Sequence, residues 1–240
     1  VPNAAQCRQL GSGLAALHAA AADFENVRVN DLGPSSWPSL WVGRAATAEA
    51  LQPGLAAKID TDLNTIEKTA ALRQDLPRGT IHADLFPDNA FFLGDTFTGA
   101  IDFYFACTDA LAYDLAICVN AWAFEADGAF NYSKAANLIA GYERVRPLEL
   151  REKAAFPSLC RGAALRFFLT RLVDWTDTPD DALVKPKDPL DYAARLRFHR
   201  TATTIADYGG CRPPPKSPMD SARSAAKLTI EQSHRDCWRR

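Results

Sequence analysis

Cys7, Leu10, Leu14, Leu17 and Ala21 recur at three- and four-residue intervals, which predicts an amphipathic helix over residues 4–24. Pro, Gly and Ser then gather in "NDLGPSSWPSLW", a stretch that reads as a loop anchored by two tryptophans. A second helical pattern spans residues 47–76, with Pro53 near the start of its main helix, where a missing N–H costs little. Beyond it the period shortens. "GTIHA", "NAFFL" and "GAIDFYF" read as strands separated by "DLFPD" and "GDTFTG", and the Gly-Asp and Thr-Gly signals fold the last two into a hairpin. Helical spacing returns over residues 113–124, 132–145, 150–175 and 189–208. The expected fold class is mainly α with a small β hairpin, one helical lobe holding a polar loop against its own core.

Composition narrows the function. The chain has 240 residues, 48% of them hydrophobic and 23% charged, enough for a sizeable core. Residues 211–240 differ in kind: they carry "RPPPKSP" and seven basic against three acidic residues, a net charge of +4. They are expected to form a disordered basic tail behind a 1–210 lobe whose 20 basic and 26 acidic residues leave it at −6. Such a balance offers no broad basic field, so nucleic acid is not an expected partner. No apolar run reaches the roughly 18 residues of a membrane span, and the N-terminus lacks the pattern of a signal peptide. The six cysteines are far apart and form no zinc-ligand cluster, as expected of reduced thiols in a cytoplasmic protein.

The chemistry concentrates between residues 82 and 102. His82, Asp84 and Asn89 have the spacing HxDxxxxN, and Asp102 follows the expected hairpin. Phosphoryl transfer needs a carboxylate to accept the acceptor's hydroxyl proton and oxygen ligands for magnesium, and this set matches a kinase catalytic loop with its later metal-binding aspartate. Asp84 is then the base, and Asn89 and Asp102 the metal ligands. Each has a duller reading: Asp84 and Asp88 as turn formers around Pro87, Asn89 as a turn cap, Asp102 as a strand-end partner of a Lys or Arg. An aspartate flanked by Ile101 and Phe103 is costly to bury unpaired, which favours a metal or a hydrogen-bonded role. His82 reads as a brace for the backbone. Asp114, at a helix start, is either a charge favourable to the dipole or a tie between that helix and the catalytic loop.

The run "TIHADLFPDNAFFLGDTFTGAIDFYFACTDALAYDLAICVNAWAFE" resembles the type II homoserine kinases of the aminoglycoside-phosphotransferase and choline-kinase-like superfamily. A looser likeness extends over residues 5–209. The resemblance implies the C-terminal lobe of a protein-kinase-like fold, ATP as co-substrate, Mg2+ as cofactor, and L-homoserine as the acceptor on the route to threonine. Arg166, which points into an apolar helical stripe, is the candidate for the substrate carboxylate; an internal salt bridge is its alternative. Such kinases also carry a β-rich nucleotide lobe with a strand lysine. None is visible ahead of residue 80, and the start at Val1 without a methionine is expected of a chain that has lost its beginning, its nucleotide lobe lying on another segment, on a separate chain or nowhere, so this piece is expected to be impaired alone. "GSGLAALH" lacks the third glycine of a phosphate loop and reads as a closely packed helix. Rival readings remain a kinase for an aminoglycoside or methylthioribose, an inactive binding lobe, and a metal-dependent hydrolase built on His82, Asp84 and Asp102.

Overall fold

Helix α1 (Ala4–Ala20) starts where the side chain of Asn3 accepts the Gln6 N–H at 2.8 Å and Gln6 Oε1 accepts the Asn3 N–H at 3.1 Å. The computed structural model describes residues 2–179 and 181–210, so the expected tail of 211–240 lies outside the described residues. α1 ends short of residue 24 because its buried stripe stops at His18, and Phe24 is exposed. The tryptophan loop contains a short helix, α2 (Trp37–Trp41), whose two indoles are buried and donate to Leu32 O and Asp60 Oδ1. Where one helix is expected over 47–76, three form: α3 (Ala45–Leu51), α4 (Leu55–Lys68) and α5 (Ala71–Gln74). The first break falls at Pro53, which cannot donate, and Gly54, which takes φ +76°.

Four short strands follow: β1 (Arg78–Ile81), β2 (Ala90–Leu93), β3 (Thr96–Ala100) and β4 (Cys107–Ala110). The expected hairpin is β2–β3, turning at Gly94 with φ +59°. β1 pairs antiparallel with β4, a strand that "CTDA" does not advertise because its apolar and polar positions do not alternate. "GAIDFYF" leaves the sheet at Ala100, so Asp102 is not on a strand.

The remaining helices are α6 (Leu111–Trp122), α7 (Tyr132–Val145), α8 (Leu150–Asp177) and α9 (Leu190–His199). α6 is the spine of the lobe: every residue from Ala112 to Asn120 is buried. The helix expected to reach residue 208 stops at His199, and a Thr204–Asp207 capping box starts a separate turn, Ile205–Tyr208. Two buried polar groups lock the helices together. Asp62 on α4 is fully buried and accepts from Arg161 at 2.8 Å and Arg200 at 2.6 Å, pairing one carboxylate with two guanidinium groups. His199 bonds Asn120 Oδ1 and the Tyr208 hydroxyl, each at 2.9 Å, and burial pushes its pKa down to about 3.

α1 and α7 cross with their backbones touching. A Cβ on Gly11 would collide with the Leu138 carbonyl and lie 2.8 Å from the Tyr142 nitrogen; one on Gly141 would strike the Arg8 carbonyl. The glycines of "GSGLAALH" therefore serve packing. Gly141→Ala should destabilise the fold by about 1–3 kcal/mol, read from urea denaturation, because backbone cannot rotate aside as a side chain does.

Candidate active site

α6 presents Asp114 in its first turn, fully buried, and three hydrogen-bonding partners fix what surrounds it. Its Oδ2 accepts the His82 backbone N–H at 2.7 Å and the His18 Nε2–H at 3.1 Å, while Oδ1 accepts the Ala83 N–H at 2.9 Å. His18 Nδ1 is left to accept the Tyr142 hydroxyl at 2.8 Å, and Arg146 donates to that hydroxyl at 3.3 Å. Burial works against the Asp114 charge, yet the bonds from His18, His82 and Ala83 hold its carboxyl below the usual carboxylate range.

This tie sets the loop that follows β1. Ala83 takes φ +64°, a left-handed conformation costing roughly 1–2 kcal/mol for a residue with a Cβ. It persists because both ends of the residue are held: the N–H by Asp114 and the carbonyl by Arg166 Nη1 at 3.1 Å. Further on, the Leu85 carbonyl accepts the Trp122 indole at 2.8 Å. His82 has both ring nitrogens engaged: Nε2 donates to the Ile101 carbonyl at 2.9 Å, and Nδ1 accepts the Asp84 N–H at 3.3 Å. It has no free nitrogen to offer a metal, which argues against the hydrolase reading.

Asp84, Asn89 and Asp102 are brought together by backbone bonds. Asn89 Nδ2 donates to the Asp84 carbonyl at 2.9 Å, and among the described residues its Oδ1 has no partner. The Ile101 N–H donates to the Asn89 carbonyl at 3.0 Å, so Ile101 is held by both Asn89 and His82 and delivers Asp102 beside them. Asp102 itself adopts φ +62°. The burial argued for it from Ile101 and Phe103 does not occur: all three residues are exposed, and among the described residues Asp102 has no ion pair or hydrogen bond. Asp88 is exposed in the turn Pro87–Asn89.

Arg166 reaches Asp84 from beneath. It is 4% exposed, its Nη1 lies 3.5 Å from Asp84 Oδ1, and its guanidinium sits 4.0 Å from the Phe167 ring centroid and 5.4 Å from that of Phe105. The structure thus places it against the loop, where it makes the internal salt bridge, and not at an open anion site. Burial raises the Asp84 pKa, Arg166 and His82 oppose that, and Asp102 adds to it, with a net shift upward.

Sequence reasoning missed His18, Ile101 and Trp122. His18 alone left a signal: it continues the buried stripe of Cys7, Leu10 and Leu14, and a histidine there needs a polar partner.

Asp114→Asn removes the charge that three donors converge on and should cost about 3–5 kcal/mol of stability. Because the folded pKa of Asp114 is depressed, its stabilisation is present above the unfolded value of about 4 and is lost as pH falls through the lower folded value. Urea titrations across that acid range should show this decline in the parent and a flatter profile in the variant.

Among the described residues no helix is long and apolar enough to cross a membrane. The model of the phosphotransferase enzyme family matches residues 1–148. The homoserine kinase of Hyphomonas neptunium is 61% identical over 215 residues, covering 87% of this chain and 66% of its own length. That of Methylobacterium radiotolerans is 59% identical over 208 residues, covering 87% of this chain and 64% of its own. The chain therefore spans slightly less than two thirds of these curated relatives. Among solved structures, a choline/ethanolamine kinase family protein from Mesorhizobium loti aligns with a TM-score of 0.54 at 16% identity, over 92% of this chain and 65% of that one. A Plasmodium vivax ethanolamine kinase aligns with a TM-score of 0.53 at 15% identity, over 85% and 61%. At those identities the likeness is one of fold.

Proposed function

The chain belongs to the phosphotransferase enzyme family, and we propose that it supplies the acceptor-side half of an enzyme that moves the γ-phosphate of ATP to the hydroxyl of L-homoserine. One observation carries the reaction type: Ile101 bonds His82 and Asn89 together and so sets Asp84, Asn89 and Asp102 on one patch. The acceptor rests on the 59–61% identity to homoserine kinases. The product, O-phosphohomoserine, would belong to threonine biosynthesis in the cytoplasm.

In this reading Asp84 orients the acceptor hydroxyl and takes its proton as the oxygen attacks phosphorus. Arg166 holds one carboxylate oxygen from below, which fixes the direction of the other. His82 and Asp114 touch no reactant; they hold the loop's backbone. For Mg2+ the donor set fits. The free Oδ1 of Asn89 and the unpaired carboxylate of exposed Asp102 are hard oxygen donors, and an ion that keeps waters and substrate phosphates needs only one or two protein ligands. Accordingly, no group of three or more His, Cys, Asp or Glu among the described residues is built to cage a metal alone. When bound, Mg2+ neutralises phosphate charge. Lys58 and Lys68 both lie on α4, so in this reading the nucleotide is covered by residues other than those described.

In the full-length protein, Asp84→Asn should lower kcat for homoserine by about 10²–10⁴-fold with little change in KM, measured by coupled ADP release. Faster turnover of choline or an aminoglycoside than of homoserine would overturn the acceptor assignment. The acid limb of kcat/KM should lie above the ordinary carboxylate range, since burial raises the Asp84 pKa. Arg166→Met should move that limb to still higher pH, because the guanidinium favours the ionised form; an unmoved limb would remove Arg166 from the mechanism.

A further inference from the structure

At the far end of β1 from the catalytic loop, a cavity of about 270 Å³ opens among Trp37, Arg73, Arg78, Asp109, Tyr113 and Leu159. Arg78 begins β1 and His82 follows its last residue, so at ~3.3 Å per residue the two are roughly 13 Å apart. Neither Asp84, Asn89 nor Asp102 lines this cavity.

Two of its polar groups lack the partners their burial calls for. Arg73 is half-buried and donates only to Ser158 Oγ at 3.3 Å and the Ile66 carbonyl at 3.0 Å; among the described residues no carboxylate pairs with it. Tyr113 is 6% exposed, and its hydroxyl, closed off from solvent, has no hydrogen-bond partner among the described residues. Asp109 does not resolve either shortage. It is already bound to Arg78 at 3.2 Å, to Asn30 Nδ2 at 2.7 Å and to the Ala110 N–H at 2.7 Å. Two guanidinium groups thus face one carboxylate, and the cavity carries an excess positive charge. Its other walls, the Trp37 ring and the Leu159 side chain, are apolar. A cation on one side and hydrocarbon on the other match a single anionic head on a short apolar body.

We propose that this cavity is a second binding site, separate from Asp84, for a small monocarboxylate: its carboxylate on Arg73, its alkyl part against Trp37 and Leu159. The proposal does not depend on the acceptor assigned above.

Isobutyrate is a suitable probe and isobutyramide its neutral isostere, with the assigned indole N–H resonance of Trp37 as reporter. Isobutyrate should shift that resonance saturably, and isobutyramide should bind about tenfold more weakly or worse. Arg73→Leu should weaken isobutyrate by a similar factor, and Asp84→Asn not at all. Absence of a saturable shift up to high millimolar probe, equal affinity for the amide, or loss of binding in Asp84→Asn would each overturn the assignment. If Arg73→Leu does not fold, Arg73→Lys, which keeps the charge, together with the acid-versus-amide comparison on the parent decides the matter.

Discussion

A carboxylate with no exposure to water has to be repaid in hydrogen bonds, and Asp114 collects them from two other parts of the chain. His18 comes from α1, His82 and Ala83 from the end of β1, and the acid itself from the first turn of α6. Without those donors the charge would be too costly to bury; with them, α6 and the loop occupy one relative position. The left-handed turn at Ala83 follows, since both consecutive N–H groups must face the same carboxylate. A second tier extends the tie outward through Tyr142 and Arg146 to Glu152 at the start of α8, 3.0 Å from Arg146.

The groups assigned to the proposed reaction are held in a different way from the groups that hold them. Asp114, His82 and Arg166 are buried, whereas Asn89 is only partly covered and Asp102 is open to solvent. Asn89 and Asp102 are positioned through the backbone of their neighbours, by the bonds that Ile101 makes to Asn89 and His82. This leaves their side-chain oxygens unoccupied while fixing where they begin. The same fold occurs, at 15–16% identity, in a choline/ethanolamine kinase family protein and an ethanolamine kinase.

Arg166 shows how one residue can be legible in type and not in partner. Its place in an apolar helical stripe marked it as a buried cation with a purpose, but the acid it meets is 82 positions away on the loop. The same holds for Asp62, whose two arginines lie on α8 and just after α9. Helical periodicity could identify α4, α8 and α9 without indicating which polar side chains would face one another across them.

The sequence by itself determined the elements with a strong local period: most of the helices, the β2–β3 hairpin, and the HxDxxxxN spacing with Asp102 and Asp114 behind it. These depend on residues a few positions apart, and spacing, turn chemistry and the resemblance to homoserine kinases all act at that range. Only the tertiary structure decided what depends on distant partners: the pairing of β1 with β4, the His18–Asp114 bond across 96 positions, the exposure of Asp102, and the cavity at Arg73 and Tyr113. The physical reason is that burial and charge compensation are properties of a packed volume. A residue's own neighbours in the chain specify its conformation, but the groups that satisfy it are chosen by how helices and strands close around it.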